Sequence, residues 1–158
     1  MSGVHTRYLT HNQLDAWDLM RRGISQSQIS RKLHISRQAV NKMVETIPSR
    51  VAAALKDTAS LNRIEPRYLG IKDGVLVGWS KDFQTEAIIS LTPEEGLQIW
   101  YQHNFGKCKI CPDRRQCRSV LLKTAKRLEI SLTRDETRLD PSHLSGIVFS
   151  RISERKSV

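Results

Sequence analysis

Three cysteines fall within ten positions of one another, Cys108, Cys111 and Cys117 in CKICPDRRQC, and His103 stands just upstream. The order is His-x4-Cys-x2-Cys-x5-Cys. Two thiolates two residues apart can serve one metal ion because the chain turns back between them, and Pro112 helps fix that turn. Three thiolates and one imidazole would satisfy zinc. An iron–sulfur cluster is held by cysteines as well and can take a histidine in place of one. His103, Cys108, Cys111 and Cys117 are therefore candidate ligands, for zinc or for a cluster, with three free thiols as the plain alternative. Cys117 is expected to begin the helix QCRSVLLKTAKRL. There the helix N-terminus and the nearby Arg114, Arg115 and Arg118 would favour thiolate.

A second group of side chains suits a different chemistry. In ISQSQISRKLHISRQAVNKMV, Ile24 to Val44, the apolar Ile29, Leu33, Ile35, Val40 and Met43 fall where two short crossing helices share a core, and Ser30 is small at their contact. Ser36, Arg37, Gln38, Asn41 and Lys42 are left on the outer face of the second helix. Such side chains bond to base edges and phosphates when a helix lies in the major groove. Arg37 suits guanine, and Gln38 or Asn41 suits adenine. Lys42, Arg31 and Lys32 suit phosphate, although Arg31 and Lys32 also fit simple solvation of the helix that carries them. Apolar spacing alone would equally fit an ordinary helical hairpin. The outer-face composition and the charge of the chain favour double-stranded DNA.

The elements that must position these residues carry their own signals. Thr10 is a hydroxyl cap before HNQLDAWDLMRRG, with Leu14 and Trp17 on the buried side and Gly23 as the stop. A second helix is expected from near Ser25 to Leu33, and Ser36 caps a third. The pattern apolar-Ser-x-x-x-Ile-Ser-x-x-Leu-x-Ile-Ser-Arg-x-x-Val resembles the helix-turn-helix of sigma-factor region 4, of response regulators and of many small archaeal regulators. The resemblance covers about residues 10–46 and implies DNA binding through the third helix. His34 departs from it, standing where such motifs usually place glycine; a histidine can adopt positive φ at some cost.

Pro48 is expected to end or kink the third helix. SRVAAALKDTASLNRI then reads as a further helix with Val51, Leu55, Thr58 and Leu61 or Asn62 along one stripe. That stripe would either pair two subunits, since palindromic sites favour a homodimer, or pack back on its own chain. Strands follow Pro66: YLGI and VLVGWS as a hairpin turning at Asp73-Gly74, then EAIISL. TPEEG reads either as a capped helix start or as a turn into LQIWYQH. The alternation of Leu97, Ile99 and Tyr101 favours a fourth strand. Asp140-Pro141 opens a terminal helix with Leu144, Ile147, Val148 and Ile152 on one side, and SERKSV is expected to fray. The fold class is α+β. The expected organisation is a three-helix DNA-binding domain over 1–47, a linker or dimerisation helix over 48–64, and a sheet-and-helix domain with the cysteine site over 65–158.

Composition narrows the partners. The 158 residues hold 26 Lys plus Arg against 16 Asp plus Glu, a net charge of +10. Residues 1–64 carry 10 basic and 4 acidic side chains and the remainder 16 and 12, so the excess is denser in the helical half. A polyanion is the favoured partner. No apolar run approaches the roughly 18 residues of a membrane span, and MSGVHTRYLTHNQ lacks the apolar core of a secretion signal. The chain is read as cytoplasmic, a compartment where three cysteines do not suggest disulfides.

The Cys-x2-Cys-x5-Cys spacing resembles part of the iron–sulfur pattern of SPASM domains and of some CRISPR-associated and recombination nucleases. The fourth cysteine of a full cluster is missing. The functional expectation is a sequence-specific transcriptional regulator, metal- or redox-responsive through the cysteines, and not an enzyme. The rivals are a nuclease-like DNA-processing enzyme and an assembly subunit targeted by the helical domain. For the first of these, Asp73, Asp82 and Glu94-Glu95 sit in apparent turns and form no evident catalytic constellation.

Overall fold

A computed structural model of the chain describes residues 8–103 and 107–155. Residues 1–7 and the last three residues of SERKSV lie outside them. Hydroxyl caps open three helices, α1 (His11–Arg21), α2 (Gln26–Leu33) and α3 (Arg37–Leu61). Thr10 Oγ1 accepts from the Gln13 amide at 3.2 Å while the Gln13 side chain accepts from the Thr10 amide at 3.0 Å. Ser25 and Gln28 repeat the arrangement, and Ser36 Oγ accepts from the Ala39 amide at 3.1 Å. Each cap satisfies donors that helix geometry leaves orphaned. Gly23, at φ 75°, and His34, at φ 55° and ψ 42°, turn the chain after α1 and α2.

The expected break at Pro48 does not occur. Helix α3 runs unbroken for 25 residues with the proline inside it. An interior proline costs about 3 kcal/mol, chiefly through one lost backbone hydrogen bond. Ile47, Val51, Ala54 and Leu55, on both sides of it, are completely buried. At about 2 kcal/mol for each large apolar side chain, this packing outweighs the local penalty. The recognition and linker helices of the sequence reading are thus one rod. Val51 and Leu55 pack into the chain's own core, whereas Leu61 at the end of the same stripe is exposed.

Four strands follow in a meander, β1 (Ile64–Gly70), β2 (Val75–Ser80), β3 (Thr85–Thr92) and β4 (Gly96–Tyr101), antiparallel and in spatial order β1-β2-β3-β4. The hairpin signal at Asp73-Gly74 holds: Gly74 has φ 68°, and a Cβ there would meet Trp17 Cη2 at 2.5 Å. PEEG is a turn, with Thr92 Oγ1 accepting from the Glu95 amide at 2.9 Å. A bulge between Pro66 and Tyr68 shifts the register of β1. Beyond β4 come α4 (Arg114–Arg127) and α5 (Pro141–Ser153), separated by a short 3-10 turn at Glu136–Arg138.

Strand alternation divides the side chains between two cores. Leu76, Ala87, Ile89 and Leu91, with the partly buried Leu97, Ile99 and Tyr101, face α1, α2 and α3. Val75, Val77, Ile88 and the partly buried Trp100 face α4 and α5, meeting Leu121, Leu144, Val148 and Phe149. The described chain is therefore α+β, five α-helices around a four-stranded antiparallel sheet covered on both faces.

Candidate functional site

The three-residue connection between α2 and α3 is held from within. Ser30 Oγ donates to the Ile35 carbonyl at 2.6 Å, and the Ile35 amide donates to the Ser30 carbonyl at 3.1 Å. The small residue at the helix contact thus doubles as the clasp of the turn. Ile29 and Val40 are fully buried, and Leu33, Ile35, Met43 and Val44 are partly buried against the same core.

The polar residues singled out from sequence are all exposed: Arg31 and Lys32 in the last turn of α2, and Ser36, Arg37, Gln38, Asn41 and Lys42 at the start of α3. Gln38, Asn41 and Lys42 share one face because residues three and four apart line up on a helix. Two members of the set are already engaged. Ser36 spends an acceptor site on its cap, and Arg37 Nη2 donates to Ser27 Oγ at 3.1 Å. The second contact parks the guanidinium against the start of α2. Glu45, exposed one turn beyond Asn41 and Lys42, adds a negative charge to this face that the sequence reading did not weigh.

The cysteines are placed differently. Cys108 and Cys117 are buried and Cys111 half-buried, all three as free thiols. A turn links the first pair, the Cys111 amide donating to the Cys108 carbonyl at 3.3 Å. Helix α4 begins at Arg114, so Cys117 lies one turn inside it rather than at its start; its amide already bonds the Asp113 carbonyl at 2.9 Å. His103 is exposed, with Nδ1 3.0 Å from the Tyr101 carbonyl and its ring 5.9 Å from that of Trp100. Among the described residues no three His, Cys, Asp or Glu side chains come together closely enough to hold one ion.

Two of the three arginines beside the cysteines have partners elsewhere. Arg114 pairs with Asp140 at 2.6 Å, and Arg118 donates to the Thr137 carbonyl at 2.6 Å and to the Arg138 carbonyl at 3.1 Å. These two tie α4 to the segment entering α5. Of the carboxylates considered for catalysis, Asp82 pairs with Arg63 at 3.1 Å and Glu95 with Lys123 at 2.9 Å.

One grouping was not visible in the sequence. Trp17 is buried in α1 and carries two guanidiniums over its ring, Arg21 at 5.4 Å from its own helix and Arg127 at 5.9 Å from α4. No local pattern joins Arg127 to α1; only the packing of both elements around the sheet does so.

No protein-family model matches the chain, and no curated protein or solved structure does so either. No described helix is long and apolar enough to cross a membrane.

Proposed function

We propose that the chain is a sequence-specific DNA-binding protein of the transcription-regulator type, with α2 and α3 acting as a helix-turn-helix. The observation that carries this reading is the exposed polar face of Gln38, Asn41 and Lys42 at the free end of a helix whose opposite side is anchored in the core. A readout helix needs that combination, since the side chains must reach base edges while the backbone stays fixed. The net charge of +10 supports it by supplying phosphate affinity over a wide surface. Arg37 is held near the groove-facing end and reaches DNA by exchanging Ser27 for a base or phosphate acceptor. The DNA-binding reading does not depend on a metal at the cysteines and His103.

Selection of preferred duplexes from a random pool, followed by anisotropy titrations at several salt concentrations, tests the reading. Wild-type binding should weaken steeply with salt. Replacing Asn41 or Gln38 with Ala should cost about 1–3 kcal/mol on the preferred site while leaving scrambled DNA little changed. Lys42→Ala should weaken both duplexes alike. Failure to select any sequence, or equal losses on both duplexes for Asn41→Ala and Gln38→Ala, would overturn it. Adding a divalent metal to the same titrations and looking for cut strands separates binding from cleavage.

A further inference from the structure

Arg127 is a largely buried cation that stacks on Trp17 but has no ion-pair partner among the described residues. Its Nε and that of Arg21 are both buried with no hydrogen bond, and among the described residues no carboxylate lies within ion-pair distance of Arg127. Buried charges are ordinarily paired, because an unpaired one carries the full loss of hydration. Burial and the neighbouring charge of Arg21 lower the Arg127 pKa to about 10, against the partial opposition of Glu94, Asp18 and Asp73. The guanidinium is therefore under a penalty that the Trp17 ring and the surrounding carboxylates relieve only in part.

Both arginines line a cleft of about 330 Å³ between α1, the β3–β4 end of the sheet and α4. Ser90, Thr92, Gln98 and Thr124 add neutral hydrogen-bonding groups to its wall. The cleft also holds carboxylates, but two of the three are occupied: Asp18 with Arg22 at 3.1 Å and, at the longer 3.9 Å, with Arg21, and Glu95 with Lys123 at 2.9 Å. Glu94 is exposed. The volume lies at the lower end of the range for small-molecule sites.

We infer that this cleft binds a small metabolite-sized anion through a carboxylate or phosphate group gripped between Arg21 and Arg127. Planar guanidinium forks match the oxygens of either group, and both forks are pre-positioned by Trp17. An oxyanion supplies the acceptors that the two Nε atoms lack and offsets the repulsion between the two cations. The inference does not rest on DNA binding.

Calorimetric titration of the full chain with inorganic phosphate and, separately, with citrate tests it, at ionic strength held constant with sodium chloride. At least one probe should bind saturably and raise Tm in proportion to occupancy; which one binds better identifies the group recognised. Arg127→Gln should fold with a Tm equal to or above that of the wild type without probe, and should lose at least tenfold in affinity. Arg21→Gln tests the pair from the other helix with the same expected loss. Arg134→Ala, a change outside the cleft, should bind as the wild type does. The inference is overturned if neither probe saturates, if chloride alone gives the same Tm shift, or if Arg127→Gln and Arg21→Gln bind like the wild type. Weaker DNA binding by Arg127→Gln with no small-anion response would assign the pair to duplex phosphate and also overturn it.

Discussion

His34 shows how a single residue can be wrong for its backbone and still hold its place. At φ 55° and ψ 42° it occupies the left-handed region, which costs a residue with a Cβ roughly 1–2 kcal/mol. The turn survives because Ser30 clasps Ile35 from below and Ser36 caps the next helix. His34 itself is exposed. Replacing it with Gly should therefore stabilise the chain by roughly 0.5–1 kcal/mol, the gain being reduced by the greater freedom of Gly in the unfolded state. Chemical denaturation of the two proteins measures this. Unchanged or lower stability would mean that the imidazole makes a compensating contact. The same residue-scale logic fixes Gly74, where an added Cβ would lie 2.5 Å from Trp17 Cη2 and 2.6 Å from the Leu91 carbonyl oxygen.

At the scale of elements, α3 decides how the proposed reading head is mounted. Its first turns carry Gln38, Asn41 and Lys42, and its later turns lie buried against the sheet with Val51, Ala54, Leu55 and Ala59. One rigid element thus joins the exposed polar face to the core, with no hinge of separate helices between them. Pro48 faces solvent on that rod, where water can hydrate the carbonyl that the missing N–H leaves free. Pro48→Ala restores that backbone hydrogen bond and should stabilise the chain by about 1–2 kcal/mol after the entropy of the unfolded state is allowed for. Thermal unfolding should show a higher Tm; a lower one would mean that the proline sets a helix shape the core requires.

At the scale of the whole molecule, the chain must hold two cores on one sheet while carrying a large positive charge. The segment between α4 and α5 is fastened by Glu136 and Arg151, whose two nitrogens meet the two carboxylate oxygens at 2.9 and 2.7 Å. Bonds from Arg151 and the Thr133 amide hold the Glu136 carboxyl at about 2. A carboxylate lowered in this way contributes stability that is complete above the ordinary glutamate range and is lost as pH falls towards 2. The same acidification raises the net positive charge and its self-repulsion. Unfolding followed between pH 5 and pH 2 should show Glu136→Gln less stable than the wild type near pH 5, with the gap closing as acid is added. A gap independent of pH would show that the ion pair is not its source.

The helices, caps, turns and strands were legible in the residues because their signals are local. Thr10, Ser25 and Ser36 cap within three residues, Gly74 turns a hairpin in place, and the alternation of Leu97, Ile99 and Tyr101 marks a strand. The exposed polar face at residues 36–42 was legible for the same reason, since helical spacing alone places those side chains together. Three features depended on distant parts of the chain. Burial of Ile47 and Val51 against the sheet overrode the break expected at Pro48. The spacing of Cys108, Cys111 and Cys117 does not by itself fix how they lie relative to His103, because local spacing does not decide where a β-strand end and a helix turn point. Arg21 and Arg127 met over Trp17 only because α1 and α4 pack beside the same end of the sheet. Local chemistry chooses each element from its own few residues, whereas contacts between elements arise from long-range burial, and that is a property of the folded whole.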